Sequence, residues 1–390
     1  MKLYNSFSQK QESVDVSQKI GLYVCGITPY DTTHLGHAFT FLIYDVLVRY
    51  LRFLGSKVTY VQNVTDVDDD TLMRAKSLGI NWKKLGERET RKHLKNMDRL
   101  NVLRPDHYPK ASDHLTSMIR IIEVLLNKGF SYEKNGSVYF SVKKDKNFGK
   151  LSKFTYPAML EIANDRGNFP LDSNKKDPLD FVLWQKFKSG EPFWNSPWGK
   201  GRPGWHIECS AMSMKYLGST VTIHGGGTDL LFPHHEAEIA QSQNYTGKKF
   251  VKIWMHTAMV YCQGKKMSKS LGNMVFVHDL LKKYSPNTIR ILLLSHHWQK
   301  PWNYEQKELA EAAKTAQILE KVAQKNPKLT NQQAQKLLPA FFKAMDENLD
   351  MPKALKILIN LAKSKNLPAG RQVQAGELIT KCGQILGLIF

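Results

Sequence analysis

The sequence predicts an α/β protein whose parallel β-sheet is split by an insertion and followed by a helical region. Three observations support this fold class. An apolar strand–helix–strand pattern begins near residue 19, two further apolar strands follow near residues 221 and 250, and helical periodicity runs from about Tyr304. A strand, a long helix and a second strand within about 45 residues are typical of the βαβ crossover in a doubly wound sheet.

The first half of the sheet is predicted within residues 1–110. The short apolar run at residues 19–26 is consistent with a buried parallel strand. The apolar-periodic segment after it predicts a helix that ends at Gly55, because glycine suits the position after a helix C-terminus. The run VTYVQNV at residues 58–64 then predicts the second strand.

Residues 111–200 are predicted to form an insertion that connects the two halves of the sheet. Residues 113–129 have the apolar periodicity of an amphipathic helix. The dipeptide Asn135-Gly136 between two alternating segments predicts a β-hairpin. The sheet resumes within residues 201–302, at the apolar runs TVTIHGGG and KFVKIWMHTAMVY.

The C-terminal residues 303–390 are predicted to form a helical domain. Within it we interpret residues 366–376, NLPAGRQVQAG, as a loop insertion to which the sequence assigns no function.

Composition narrows the classes of function. A chain with 42% hydrophobic residues is not intrinsically disordered, and no stretch of about 18 apolar residues predicts a membrane span. Four cysteines in 390 residues are too few for a disulfide scaffold, so we expect a cytoplasmic protein. The formal net charge of +21 indicates a polyanionic partner such as nucleic acid, although a general lysine bias would also produce it.

Two histidines lie at the predicted start of the first long helix. His34 and His37 are three residues apart and therefore share one helical face. A helix N-terminus attracts phosphate, and Gly36 between them allows a ligand to approach the backbone closely. A helix cap or a surface pair is the more frequent role of two such histidines.

Residues 265–273, KKMSKSLGN, are predicted to form a polar loop between a strand and a helix. Closely spaced lysines such as Lys266 and Lys269 can neutralise the charge that develops on a triphosphate during transfer. The alternative is a solvated basic loop without a ligand.

Two cysteines, a histidine and a glutamate form a third candidate group. Glu238 follows His234 by four residues, which places both on one helical face. Together with Cys25 and Cys209 they make a ligand set suited to Zn²⁺, provided that the fold brings them together. Alternatively, the cysteines are small buried hydrophobes and the histidine and glutamate cap a helix.

A glycine run follows a predicted strand. The backbone N–H groups of Gly226 and Gly227 could meet a nucleotide there, and Asp229 could bind its ribose hydroxyls.

Taken together, these motifs resemble the class I aminoacyl-tRNA synthetases. His34–His37 read HLGH, which corresponds to the HIGH signature, and residues 266–270 read KMSKS. More narrowly, GRPGWHIECSAM and HGGGTDLLFPHHEAEIAQS are similar to cysteinyl-tRNA synthetases. The resemblance implies a Rossmann-like class I synthetase catalytic domain split by an insertion and followed by a helical C-terminal domain. It also implies a compact form that lacks the usual C-terminal anticodon-contacting domain.

The same resemblance implies the chemistry. ATP, with Mg²⁺, and L-cysteine would form cysteinyl-adenylate and pyrophosphate, and the cysteinyl group would pass to tRNA(Cys). A monomer without a membrane partner is expected. The resemblance assigns catalysis to His34, His37, Lys266 and Lys269, ATP binding to Gly36, Gly226, Gly227, Asp229, Ser268 and Lys269, cysteine binding to Thr28, Thr40, Asn63, Thr65 and Trp205, and one Zn²⁺ to Cys25, Cys209, His234 and Glu238.

Two alternatives stay open at this point. The sequence also resembles the related mycothiol-pathway ligase, which joins cysteine to the amine of glucosaminyl-inositol; Asp70, where the synthetases have lysine, favours that relative. Glu238 and the charge of +21 favour tRNA as the acceptor. The second alternative is a non-catalytic RNA-binding paralogue, which would have no physical reason to keep intact signature motifs.

Overall fold

The computed structural model describes residues 1–267, 271–324, 338–363 and 369–390, with side chains omitted for 369–374. Its centre is a four-stranded sheet in the order β10-β9-β3-β4, and each neighbouring pair is parallel. These strands are β3 (Ile20–Ile27), β4 (Val58–Val64), β9 (Val221–Gly227) and β10 (Val251–Thr257). The α/β fold class predicted from the sequence is confirmed.

Helix α1 (Leu35–Phe53) connects β3 to β4, as the apolar pattern predicted. One glycine is required for this pair of strands to meet, because a Cβ at Gly26 would lie 1.6 Å from the carbonyl oxygen of Asn63. A hairpin of β1 (Lys2–Asn5) and β2 (Lys10–Ser13) packs beside β10, where the Ser6 backbone N–H donates to the Trp254 carbonyl at 2.9 Å.

The segment between β4 and β9 begins with helices and continues into a second sheet. The helices are α2 (Asp69–Ser77), α3 (Trp82–Arg99) and α4 (Leu115–Asn127). The antiparallel sheet has the order β5-β6-β7-β8. Its strands are β5 (Ser131–Lys134), β6 (Ser137–Phe140), β7 (Phe181–Lys186) and β8 (Gly201–Pro203), with α5 (Tyr156–Asn164) between β6 and β7 and α6 (Trp205–Leu217) after β8.

The predicted hairpin lies between β5 and β6. Asn135 and Gly136 both adopt positive φ angles, of 54° and 82°, as the two central residues of a tight type I′ hairpin require. The antiparallel sheet extends to Pro203, three residues beyond the limit of 200 predicted for the insertion.

After β9 the chain forms α7 (Glu236–Thr246) and then β10. A small sheet follows, made of β11 (Val260–Cys262), β12 (Lys265–Lys266) and β13 (Trp302–Tyr304), with α8 (Val277–Lys283) and α9 (Pro286–Leu294) between β12 and β13. The C-terminal helices are α10 (Gln306–Ala323), α11 (Pro339–Asp346), α12 (Met351–Lys363) and α13 (Ala369–Ile385).

The prediction of a loop at residues 366–376 is wrong for the part of this segment that the structure describes. Residues 369–376 belong to α13, while 366–368 lie outside the described residues. Glycine in this segment disfavours a helix locally, but Ala375, Leu378 and Ile379 are buried in the domain core. Tertiary packing therefore overrides the local propensity.

A buried ion pair joins α1 to α9, and its arginine also bonds to the end of the C-terminal helical region. Asp45 on α1 and Arg290 on α9 are both fully buried, with 2.6 Å between carboxylate oxygen and guanidinium nitrogen. Arg290 also donates to the carbonyls of Leu386 and Leu100, which lie near the ends of α13 and α3. Among the described helices, none is long and apolar enough to cross a membrane.

Candidate active site and metal centre

A cavity of about 860 Å³ opens at the carboxyl ends of the parallel strands. Ligands of doubly wound sheets bind at this edge, because the loops that leave the strands meet there. Of the predicted site residues that the structure describes, all line the cavity except Gly226 and Glu238. Ser268 and Lys269 lie outside the described residues.

The two motif histidines lie side by side at the start of α1. His34 is the N-cap residue, and its Nδ1 accepts from the Gly36 backbone N–H at 3.1 Å. The two imidazole rings stack with their centroids 3.8 Å apart. Burial lowers the pKa of His37 to about 4, so its ring is neutral at pH 7. His34 is thus a helix cap, which is the more frequent role given above for such a histidine. Both imidazole rings also face the cavity.

Helix α3 holds the loop that precedes these histidines. Nδ1 of buried His93 lies 2.8 Å from the Thr33 hydroxyl oxygen, and the Thr32 hydroxyl donates to Glu89 at 3.3 Å. Burial lowers the pKa of His93 to about 3, which keeps this imidazole neutral. Neither residue was predicted from the sequence. The sequence signal that could have found them is their spacing, because Glu89 and His93 are four residues apart on the buried side of a charged helix.

The four predicted metal ligands meet beside the cavity. One ligand atom from each of Cys25, Cys209, His234 and Glu238 lies within 4.8 Å of the others, and all four residues are buried. The two sulfur atoms are 3.8 Å apart, and both cysteines are free thiols. His234 Nε2 lies 3.1 Å from a Glu238 carboxylate oxygen, as expected for residues one helical turn apart.

The electrostatics of this group favour the anionic form of two donors, Cys209 and Glu238, whereas burial raises the pKa of the Cys25 thiol. Burial opposes ionisation of the Cys209 thiol, but hydrogen bonding from Cys25 and the charge of His234 leave its pKa below the ordinary value. Burial likewise opposes ionisation of Glu238, while His224 and His234 hold the pKa of its carboxyl at about 2. A thiolate and a carboxylate are the forms in which these side chains bind Zn²⁺.

Further histidines surround the same group. A second possible ligand set, Cys25, His224, His235 and Glu238, shares two members with the first. His224 and His235 are fully buried and do not line the cavity, whereas Cys209 and His234 do. His224 Nε2 lies 2.9 Å from Glu238, and His235 Nδ1 lies 2.7 Å from His256 Nε2. His224 thus contacts Glu238, and His235 Nε2 lies 3.2 Å from the Cys25 sulfur, so each of these histidines is placed to orient one candidate ligand.

The predicted cysteine pocket lies next to the metal group. The indole ring of Trp205 stacks on His234 with a centroid distance of 4.4 Å. The Thr40 and Thr257 hydroxyl oxygens are 2.8 Å apart. Asn63 donates to the Thr65 hydroxyl at 3.2 Å. Thr28 lines the same cavity, so all five predicted cysteine-binding residues face it.

The predicted nucleotide residues divide into two groups. Gly227 and Asp229 line the cavity, and so does Lys266 on exposed strand β12. Gly226 lies behind them, where its carbonyl accepts from the Tyr44 hydroxyl at 3.2 Å and helps to anchor α1 to β9. Gly226 thus shapes the strand end without facing the cavity.

The insertion supplies a part of the cavity wall that was not predicted from the sequence. Arg166, Phe169 and Lys175 face the cavity from the segment after α5, and Arg166 donates to the Asp229 backbone carbonyl. Asp70 lines the cavity at the start of α2. No local sequence pattern marks Arg166, Phe169 or Lys175, because they reach the site only through folding of the insertion onto the sheet.

Comparison with known proteins identifies the family. Residues 11–314 match the family model described as tRNA synthetases class I (C) catalytic domain. A cysteine--tRNA ligase of Thermodesulfovibrio yellowstonii is 43% identical over 420 residues, which cover 100% of this chain and 85% of that relative. The chain belongs to the class I cysteinyl-tRNA synthetase family. Another family member, the cysteine--tRNA ligase of Idiomarina loihiensis, is 41% identical over 99% of this chain and 85% of its own length.

Solved structures of other aminoacyl-tRNA synthetases share the fold of this chain. A Mycobacterium tuberculosis methionyl-tRNA synthetase in complex with methionyl-adenylate superposes with a TM-score of 0.65 at 14% identity, covering 95% of this chain and 89% of that one. A leucyl enzyme of Agrobacterium radiobacter in a ternary complex gives 0.64 at 10% identity, covering 95% and 83%. At such identities the likeness concerns the fold alone.

Proposed function

We propose that this chain activates L-cysteine with ATP, releasing pyrophosphate, and transfers the cysteinyl group from cysteinyl-adenylate to tRNA(Cys). One observation carries the proposal. The group of two cysteines, a histidine and a glutamate lies beside the same cavity that holds the HLGH histidines and Lys266. A thiol-recognising centre and a phosphate-binding helix start thus share one site. The proposal includes a monomer in the reducing cytoplasm, where the thiols stay available as metal ligands.

The four donors fit a resident Zn²⁺. Two thiols, an imidazole and a carboxylate are ordinary zinc ligands, and burial excludes competing water from them. Zn²⁺ bound there would deprotonate a coordinating thiol, a chemistry that the hydroxyl of serine matches poorly. Cys25, Cys209, His234 and Glu238 would hold the ion, with His224 orienting the carboxylate of Glu238.

The groups at the start of α1 would serve the triphosphate. Neutral imidazoles of His34 and His37 can donate hydrogen bonds to phosphate oxygens at the positive end of the helix dipole. The ammonium of Lys266 would add positive charge as charge develops on the departing pyrophosphate, and Lys269 is proposed to act with it. The Asp229 carboxylate could accept hydrogen bonds from ribose hydroxyls beside the Gly227 backbone, while Gly36, Gly226 and Ser268 are proposed to complete the ATP site.

The pocket of Thr28, Thr40, Asn63, Thr65 and Trp205 would hold the amino acid. Trp205 stacks on His234, so it lies directly beside a proposed zinc ligand. In this position the indole ring could pack against a short side chain whose sulfur reaches the metal group. The hydroxyl and amide groups can bind the ammonium and carboxylate of the substrate.

One experiment tests both the activation and the acceptor. The zinc-loaded chain receives ATP and labelled L-cysteine with either a tRNA(Cys) transcript or glucosaminyl-inositol. Because the relatives are named cysteine--tRNA ligases and Glu238 completes the metal group, we expect label on the tRNA. Label on the sugar alone would assign the chain to the mycothiol-type ligases. If no AMP forms with either acceptor, the proposed activity is contradicted.

A further inference from the structure

Helix α3 exposes a row of basic side chains on the face opposite to its buried residues. We call this row the basic stripe: Lys84, Arg88, Arg91, Lys92, Lys95 and Arg99. We propose that the basic stripe binds the phosphate backbone of the acceptor RNA, an inference that rests on the proposed function. The other face of α3 packs on the protein through Leu85, His93 and Met97, so the stripe faces solvent along the helix.

The basic charge is concentrated here beyond the lysine content of the chain as a whole. Residues 74–99 contain nine Lys or Arg and three Asp or Glu, a net charge of +6 out of +21 for 390 residues. Four of the twelve arginines of the chain lie in these 26 residues. A general lysine bias would not concentrate arginine in one segment. Arginine is the side chain best suited to phosphate, because its planar fork donates two hydrogen bonds.

The stripe is poorly neutralised by the protein itself. Apart from the adjacent Arg91 and Lys92, successive members are three or four residues apart, and like charges at that spacing destabilise a helix by about 0.2–0.5 kcal/mol each. Arg88 and Lys92 share one partner, the buried carboxylate of Glu89, at 2.8 and 2.9 Å. Within the described part of the chain, Arg91 and Lys95 form no ion pair or side-chain hydrogen bond. A polyanion bound along α3 would relieve this repulsion.

The position of the stripe favours RNA that also reaches the cavity. The inner face of α3 contacts the active-site loop through Glu89 and His93, which bind Thr32 and Thr33. The stripe is thus separated from this loop by one helix, about 10–12 Å across. The helix of 18 residues is about 27 Å long, enough to follow several phosphates of an RNA stem. A stem held there would bring its single-stranded end close to the site of transfer.

The test compares two charge-matched variants of the full chain. Arg91→Ala/Lys95→Ala removes two charges from the stripe, and alanine preserves the helix. Lys248→Ala/Lys249→Ala removes two exposed charges before β10, at the sheet edge opposite the cavity. Fluorescence anisotropy measures the Kd of a labelled tRNA(Cys) transcript from about 50 to 200 mM salt. We expect the stripe variant to bind about tenfold more weakly and to lose about two units of the salt slope, and the control variant to change little.

A second measurement separates this inference from the proposed function. Cysteine-dependent ATP–pyrophosphate exchange needs no RNA, so both variants are expected to retain it. Suppose that both variants exchange at the wild-type rate and that the salt dependence of their tRNA Kd has the same slope. This result would overturn the stripe as an RNA site. The inference would also be overturned if the Arg91→Ala/Lys95→Ala variant lost binding to anionic lipid vesicles but kept the tRNA affinity of the wild-type chain. Absence of exchange from the wild-type chain would instead count against the proposed function.

Discussion

The sulfur atoms of Cys25 and Cys209 lie 3.8 Å apart, although 184 residues separate them in the chain. Cys25 belongs to β3 and Cys209 to α6, so their meeting requires the insertion to fold back onto the parallel sheet. His234 and Glu238 complete the group from the segment that enters and begins α7. A metal bound there would join three separate parts of the fold.

Replacement of Cys209 by alanine should abolish zinc binding. The variant removes the thiol with the lowered pKa, and the three remaining donors would hold Zn²⁺ much less tightly. Metal analysis of purified protein should fall from about one zinc per chain to almost none. Cys262→Ala is the matched control, because Cys262 is buried outside the group. Unchanged zinc content in Cys209→Ala would remove this residue from the ligand set.

Replacement of His37 by alanine should slow adenylate formation without weakening cysteine binding. The neutral imidazole faces the cavity at the start of α1 and would act mainly on the phosphates in the transition state. We expect a loss of about 10²–10³ in the exchange rate and an unchanged Kd for cysteine. His107→Ala, at an exposed position outside the cavity, serves as control. An equal effect of both substitutions would argue against a phosphate role for His37.

The buried imidazole of His93 should make the fold sensitive to acid. Burial lowers its pKa from the ordinary 6.5 to about 3 in the folded protein, so the unfolded chain takes up the proton first as pH falls. Stability is therefore retained above pH 6.5 and decreases from pH 6.5 towards pH 3, by up to about 1.4 kcal/mol per pH unit for this group.

The variant His93→Gln tests this linkage. Glutamine can still accept a hydrogen bond from Thr33 but does not titrate in this range. Denaturant unfolding at several pH values between 7 and 4.5 should show a shallower loss of stability in the variant than in the wild type. Parallel pH profiles would show that His93 does not contribute to acid unfolding.

Loss of Arg290 should strongly destabilise the chain. The substitution Arg290→Met removes one of two guanidinium partners of the buried Asp45 carboxylate, of which Arg49 is the other, and it leaves the Leu100 and Leu386 carbonyls without this donor. The expected cost is up to about 3–5 kcal/mol in the free energy of unfolding. Arg104→Ala, which removes the exposed pair with Asp98, should cost less than about 1 kcal/mol. The double variant Asp45→Leu/Arg290→Met should recover part of the loss. A small effect of Arg290→Met alone would contradict the structural role of the pair.

Much of the sheet domain could be predicted because its signals are local. Gly55 follows α1 with a φ of 92°, and the Asn135-Gly136 turn forms as predicted, since both depend on residues next to each other in the chain. The helix over 369–376 could not be predicted, because the burial of Ala375, Leu378 and Ile379 in α13 depends on neighbours distant in sequence. Long-range packing overrides local propensity there.

The candidate site shows the same division. His34 and His37 could be paired from their spacing, and His234 and Glu238 from theirs. That Cys25 meets Cys209 followed only from the resemblance to a family, because no spacing rule connects two residues so far apart. His93, Glu89 and Arg166 were missed, since each reaches the loop or the cavity from another element by tertiary contact.

The most direct test of the central claim is amino-acid-dependent ATP–pyrophosphate exchange by the zinc-loaded chain without RNA. We predict exchange with L-cysteine, and a kcat/KM for L-serine that is lower by at least about 10⁴-fold, because the metal group recognises a thiol. No exchange with cysteine, or exchange with serine at a comparable rate, would contradict the account.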